Sequence, residues 1–228
     1  MKYLYFLLLL PTLIFAQSDL EEAEKFLRQG AYAQAKPLLE SHLKQNPGNL
    51  QATEYLGDAH AATGNWKAAF LYFEKLKVKY PNIANYQYKY GGAMGMIAKE
   101  SNKFKALGMI DDIRSAFEKT IKLDAKHLGA RWALIELYLQ LPAIVGGSES
   151  KATTYANQLM ALSPVDGYLS KGHISEHFNK FETAEKHYKK AIEAGGSKTT
   201  YQSLANLYKK MKQPQKSKAV LEQYKARS

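Results

Sequence analysis

Two short stretches decide how this chain folds: Gly30-Ala31-Tyr32-Ala33-Gln34-Ala35 and Gly64-Asn65-Trp66-Lys67-Ala68-Ala69. They lie 34 residues apart and share one order: a glycine, an aromatic two residues on, and an alanine to close. The same offset carries Leu39 onto Phe73, Pro47 onto Pro81 and Gly57 onto Gly91. Further along, Phe181, Ala184, Tyr188 and Ala191 repeat the spacing of Trp66, Ala69, Phe73 and Leu76. Leu204, Ala205 and Tyr208 match Leu134, Ile135 and Tyr138, and echo Leu56, Gly57 and His60. Self-similarity at a period of this length is the signature of a stacked repeat architecture.

The pattern has a physical reading. Leu56, Gly57 and His60 sit about one turn apart on a first helix, here called helix A. Gly64-Asn65 ends it and turns the chain. Ala69 is small, so the second helix, B, can come close to A. Phe73 and Leu76 fill the space beyond, and Tyr80-Pro81 stops the helix. One such hairpin cannot bury its apolar faces, but a stack of hairpins can.

On these residues the chain resembles the tetratricopeptide repeat (TPR) family, over nearly all of its length beyond Ala16. The resemblance implies an all-α, right-handed superhelical solenoid. It would hold about six helix-turn-helix repeats, at residues 17–49, 50–83, 84–127, 128–164, 165–197 and 198–228. Repeat two fits best. Repeat three carries extra residues around 98–108, as longer helices or an ordered loop, with its helix B at Asp111 to Leu123. Repeat four ends helix A at Leu141-Pro142 and inserts Ala143-Ile144-Val145-Gly146-Gly147 before Ser148, an expected N-cap. That insertion reads as a longer turn packed by Ile144 and Val145, or as an anion-binding turn at a helix start.

The first residues read as an address rather than as fold. Met1-Lys2 opens a run from Tyr3 to Phe15 that only Pro11 and Thr12 interrupt, and Ala16 precedes a polar stretch. That is the order of a secretory signal peptide cleaved after Ala16, with a bulky Ile14 in the −3 position. Export is therefore the expectation, to the periplasm or the exterior of a bacterial cell. With no cysteine in the chain, disulfides, thiolate metal sites, a cysteine nucleophile and a lipidated N-terminal cysteine are excluded.

The charge is +11, from 32 Lys+Arg against 21 Asp+Glu. It is concentrated: residues 186–228 hold eleven basic side chains and two acids, Glu193 and Glu222. Lys209, Lys210, Lys212, Lys216 and Lys218 form the expected basic C-terminal patch. It reads as a solvating cap or as a dock for an anionic envelope surface. Nucleic acid is not an expected partner, because arginine is confined to Arg28, Arg114, Arg131 and Arg227.

No cofactor and no catalytic residue are expected. The sharpest chemical motif is His173-Ile174-Ser175-Glu176-His177, which matches an H-x-x-E-H zinc pattern. On a helix His173 and His177 share a face with Glu176 beside them, so a zinc metallohydrolase is the remote alternative. The same residues fall in register with Asp58 and Ala62 on a structural helix, and no third ligand is evident. No G-x-S-x-G and no Gly-rich dinucleotide loop occur.

The family resemblance also implies where a partner would sit, namely on a concave face lined by the A helices. By register the groove residues are Glu54, Asp58, Tyr88, Met96, Trp132, Glu136, Gln140, Leu169, His173, His177, Asn206 and Lys210. Gln51, Gly92, Asp166 and Gln202 lie in the same rows. Tyr88 and Trp132 would serve as rigid anchors and Glu54, Asp58 and Glu136 as an acidic rim. The carboxylate clamp of the chaperone-binding members is not supported, since its asparagine position holds Asp58, Gly92, His173 and Asn206 here. The expected function is a non-catalytic envelope scaffold for a protein partner. The alternative is a ligand carrier or an accessory subunit of an envelope transport or assembly system.

Overall fold

The computed structural model describes residues 19–227. The segment 1–16, read above as a signal peptide, lies outside the described residues. Among the described residues the secondary structure is helical throughout, without strands. Helix α1 spans residues 19–28, followed by α2 (Tyr32–Gln45), α3 (Leu50–Ala62), α4 (Trp66–Lys79), α5 (Ala84–Glu100), the short α6 (Lys103–Leu107) and α7 (Ile110–Leu123). Then come α8 (Leu128–Gln140), a 3₁₀ turn (Ala143–Val145), α9 (Glu149–Leu162), α10 (Pro164–His177), α11 (Phe181–Gly195), α12 (Lys198–Lys210) and α13 (Pro214–Lys225). The chain divides into two compact units, Met1–Leu123 and Asp124–Ser228.

Within the first unit α3 packs on α2 and α4, and α5 on α4 and α7. Within the second, α8 packs on α9, α9 on α10, α10 on α11, α11 on α12 and α12 on α13. The A helices are α1, α3 and α5 in the first unit and α8, α10 and α12 in the second. The all-α architecture of helix hairpins is the one the 34-residue period implied.

Side-chain size sets how close the two helices of a hairpin come. A Cβ built on Gly57 would lie 2.5 Å from Phe73 Cε1, and one on Gly172 would lie 2.4 Å from Tyr188 Cε1. On Gly91 it would lie 3.0 Å from the Ala116 Cβ and 3.1 Å from Phe117 Cε1. In three hairpins, then, the ring of helix B lies against a bare backbone of helix A. Ala69 and Ala184, one turn before those rings, are fully buried. The fourth hairpin reverses the sizes. Ile135 stands at the glycine position and Ala156, counted from the Ser148 cap, at the ring position, both fully buried.

Turns and caps follow local chemistry. In four hairpins the A-to-B turn is tight and contains a left-handed residue: Gly30 (φ +72°), Gly64 (+75°), Asn179 (+56°) and Lys212 (+57°). Helix starts are closed by short polar side chains. The Asn49 side chain accepts from the Ala52 amide at 2.9 Å, Asn65 from Ala68 at 3.3 Å, and Ser163 from Asp166 at 3.3 Å. Pro164 and Pro214 occupy the first turns of α10 and α13, where no N–H is needed.

Of the two insertions, the second departs from expectation. Extra length in repeat three becomes a longer α5, of 17 residues, and the separate turn α6. In repeat four Ser148 caps α9, its side chain accepting from the Lys151 amide at 3.2 Å. Ile144 does not pack the turn, being 93% exposed. The anion-binding alternative fails as well. The amides of Gly146, Gly147 and Ser148 donate to Ala143, Pro142 and Tyr138 carbonyls, each at 3.1 Å, so none of the three is free to hold an anion.

The glycine–ring contact is testable. Gly57→Ala is expected to cost about 1–3 kcal/mol of stability by overpacking. Adding Phe73→Leu should recover part of it, as a non-additive double-mutant cycle in urea unfolding. Strictly additive losses would show that the close approach does not govern this hairpin.

Candidate functional site

In the first unit α3 carries Glu54 and Asp58 one turn apart, so both carboxylates share its face. Lys89, on α5, reaches back across the hairpin stack. Its Nζ lies 2.6 Å from Glu54 Oε1 and 2.6 Å from Asp58 Oδ2. Asn85 donates to the same Glu54 oxygen at 2.8 Å. Burial pushes the Asp58 carboxyl above the ordinary aspartate value despite the pull of Lys89. This acidic rim is therefore cross-tied to the next repeat. Tyr88 is half-buried, its ring centroid 5.9 Å from that of Phe117. Met96 is half-buried farther along α5.

The second unit repeats the principle with different groups. Trp132, on α8, donates from Nε1 to Asp166 Oδ1 of α10 at 2.8 Å, while its body packs on the hydrophobic core of this unit. One turn on, Glu136 accepts from His173 Nε2 at 2.9 Å and from Gln140 Nε2 at 2.8 Å. The His173 and Trp132 rings lie 6.5 Å apart. The hydrogen bond from His173 holds the Glu136 carboxyl below the ordinary glutamate value. From α10 to α12 the link is Lys210 Nζ to Glu176 Oε1 at 3.5 Å. Gln202 donates to Asn206 along α12 at 2.8 Å.

Most groove residues named from the sequence thus lie on their A helices at or near the surface, and six of them, Glu54, Asp58, Trp132, Glu136, His173 and Lys210, are tied from one repeat to the next. Leu169 is the correction. It is only 8% exposed and belongs to the core cluster with Tyr188, Leu204 and Val220. Its place on α10 turns it inward, where an apolar side chain gains most.

The zinc reading also loses its geometry. His173 turns to Glu136, whereas Glu176 accepts from the Tyr188 hydroxyl at 2.9 Å and meets Lys210. His177 packs edge-on to Phe178, ring centroids 5.0 Å apart. Among the described residues no group of three or more His, Asp or Glu side chains converges to hold a metal.

In the basic patch Lys209, Lys212, Lys216 and Lys218 are exposed. Lys216 lies 5.4 Å over the Tyr208 ring and Lys218 is 3.8 Å from Glu222. A cavity of about 260 Å³ opens elsewhere, between α2, α3 and α4, lined by Leu43, Leu56 and Tyr72 with Glu40, Lys44 and Lys75.

Sequence reasoning missed Lys89 as the partner of the Glu54–Asp58 pair. The signal was present: an acid pair on one A helix and a lysine 31 to 35 residues later on the next. It also missed Arg131, which is 6% exposed. Its guanidinium is satisfied by the His127 and Ala125 carbonyls and by Gln158, at 3.0, 2.9 and 3.0 Å.

With this geometry in hand, the comparisons with known proteins decide the family. One tetratricopeptide repeat model matches residues 20–82, and a second matches 165–194 and 199–226. The chain belongs to the tetratricopeptide repeat family. Solved structures share the fold. A thermophilic TPR protein of Thermus thermophilus has a TM-score of 0.68 at 17% identity, covering 84% of this chain and 98% of that one. A TPR protein of Parabacteroides merdae has 0.65 at 14%, covering 94% and 80%. MamA of Desulfovibrio magneticus RS-1 has 0.63 at 17%, covering 81% and 97%. No curated protein sequence matches the chain. The TPR fold points to a protein–protein interaction scaffold with protein partners.

The Glu136–His173 tie makes a titration prediction. A glutamate whose value is lowered on folding adds stability above its unfolded value and loses it as pH falls through the folded value. The contribution is small here, because Glu136 is half exposed. His173→Ala should move the Glu136 carboxyl upward, toward the ordinary glutamate value, in a carbon-detected NMR titration. An unchanged midpoint would remove this tie from the groove.

Proposed function

We propose that this TPR chain is a non-catalytic scaffold of the bacterial cell envelope, exported by way of its first sixteen residues, that docks a partner segment on its helix-A faces. The observation that carries the reading is the surface built by Trp132, Glu136, Gln140 and His173. An indole, a carboxylate, an amide and an imidazole are held together by hydrogen bonds of 2.8 to 2.9 Å and a ring contact. Side chains already fixed lose little entropy when a partner arrives. Exposed His177 stands beside that tied row and offers an imidazole to a peptide backbone.

The lysines of α12 and α13 support a second contact. Lys209, Lys212 and Lys216 are exposed and form no ion pair among the described residues, so their field favours an anionic envelope surface. The alternative of a ligand carrier has the cavity on α2, α3 and α4, lined by Leu43, Leu56 and Tyr72, as its candidate site.

A photo-crosslinking residue at Gln140 or His177 should capture one partner in intact cells, and the same residue at Glu182 on α11 should not. Trp132→Ala should cut capture about tenfold or more, as loss of an aromatic anchor does. Equal capture from Gln140 and Glu182 would overturn the helix-A reading. Sequencing of the protein from the envelope fraction should begin at Gln17, and a retained Met1 would overturn cleavage.

A further inference from the structure

The repeat-three insertion displays an apolar side chain that the stack does not use. Helix α5 is 17 residues long against 13 for α3, about one extra turn. Beyond it, α6 is a single ordered turn with no buried residue. Asn102 caps that turn, accepting from the Lys105 amide at 3.0 Å. Phe104 is 90% exposed and Leu107 is 42% exposed. They are three residues apart, so both lie on one face. Lys103 and Lys105 bracket Phe104, and Lys99 precedes them on the last turn of α5. All three lysines are exposed and form no ion pair among the described residues, with Glu100 the one acid between Lys99 and Met109.

A fixed aromatic with lysines on both sides suits one boundary. The ring and the Leu107 side chain gain by leaving water for acyl chains, while lysine stems lie along the apolar layer and their ammonium groups meet lipid phosphates. Among the described residues no helix is long and apolar enough to cross a membrane, so the contact is superficial. We propose that α6 is a membrane-interface wedge, in which Phe104 and Leu107 enter the headgroup layer of an anionic bilayer and Lys99, Lys103 and Lys105 hold them there. The wedge is independent of partner docking on the A helices and of the lysines on α12 and α13.

The absence of cysteine allows a local readout on the full chain. Leu107→Cys carries a polarity-sensitive fluorophore next to Phe104, and Lys75→Cys, on α4, carries it as a reference. With vesicles of phosphatidylglycerol the probe at position 107 should shift to the blue, and the reference probe should not. Phosphatidylcholine vesicles should leave both unchanged. Adding Phe104→Ser, or Lys103→Glu with Lys105→Glu, should raise the lipid concentration for half-shift about tenfold or more. Neither change touches a buried residue, so folding should be retained, as circular dichroism would check. No shift at position 107, an equal shift at both positions, or an undiminished shift in the Phe104→Ser chain would each overturn the wedge. So would a shift produced by an acidic protein such as polyglutamate-rich bait but not by vesicles, which would make the occupant a protein.

Discussion

A ring lying on a bare backbone is the contact on which this structure depends. Gly57 under Phe73 and Gly172 under Tyr188 leave no room for a methyl group unless the ring shifts, and Gly91 under Phe117 leaves only a tight fit. Glycine in a helix interior costs about 1 kcal/mol relative to alanine. Burying an aromatic against it recovers about 1.5–3 kcal/mol, so the exchange favours the close hairpin. The Phe73 ring also meets the next repeat, with Lys89 Nζ 5.7 Å from its centroid, so there one ring bears on both the distance within a hairpin and the spacing to the next. The reversed pair, Ile135 with Ala156, supports the same rule. What each hairpin holds constant is the combined volume, and which helix supplies the bulk is free to change.

Once the spacing is set, polar groups on successive A helices fall opposite each other at nearly one period. Lys89 meets Glu54 across 35 residues, Trp132 meets Asp166 across 34, and Lys210 meets Glu176 across 34. Each tie is partly exposed and contributes little energy by itself. Together they decide which side chains are held and which stand free. Within the second unit His177 keeps an exposed polar end, whereas Glu136 is occupied by both Gln140 and His173.

The fold could be read from sequence because burial is periodic and the period is long. Leu56, Gly57, Ala69 and Phe73 carry the pattern in types that only packing selects. The groove was less legible, and Leu169 shows why. Its register marks a helix and a turn but not the inward tilt that the core of the second unit imposes. Ile144 fails in the opposite sense, an apolar residue taken for packing that a left-handed Gly146 and a closed hydrogen-bonded turn leave in solvent. Lys89 was hidden because the period was sought among apolar residues and not among charges. The H-x-x-E-H spacing builds no metal site among the described residues for a related reason. Sequence neighbours on one helix are claimed by different neighbouring helices, and the period, more than the motif, says which.

Regularity and invention are divided along the chain. Gly30, Gly64, Asn179 and Lys212 adopt the left-handed conformation that turns A tightly into B. A lysine is strained there, so the tight turn is favoured by the geometry of the stack even where the residue resists it. The third and fourth hairpins lack that tight turn and carry the insertions instead. Those insertions also hold the two most exposed large apolar side chains among the described residues, Phe104 and Ile144. A hairpin whose helices are already clamped by ring on glycine, or by isoleucine over alanine, does not need a tight turn to hold them together. Its connection is then released from the demands of packing, and among the described residues it is in the connections of these two hairpins that the two most exposed large apolar side chains stand.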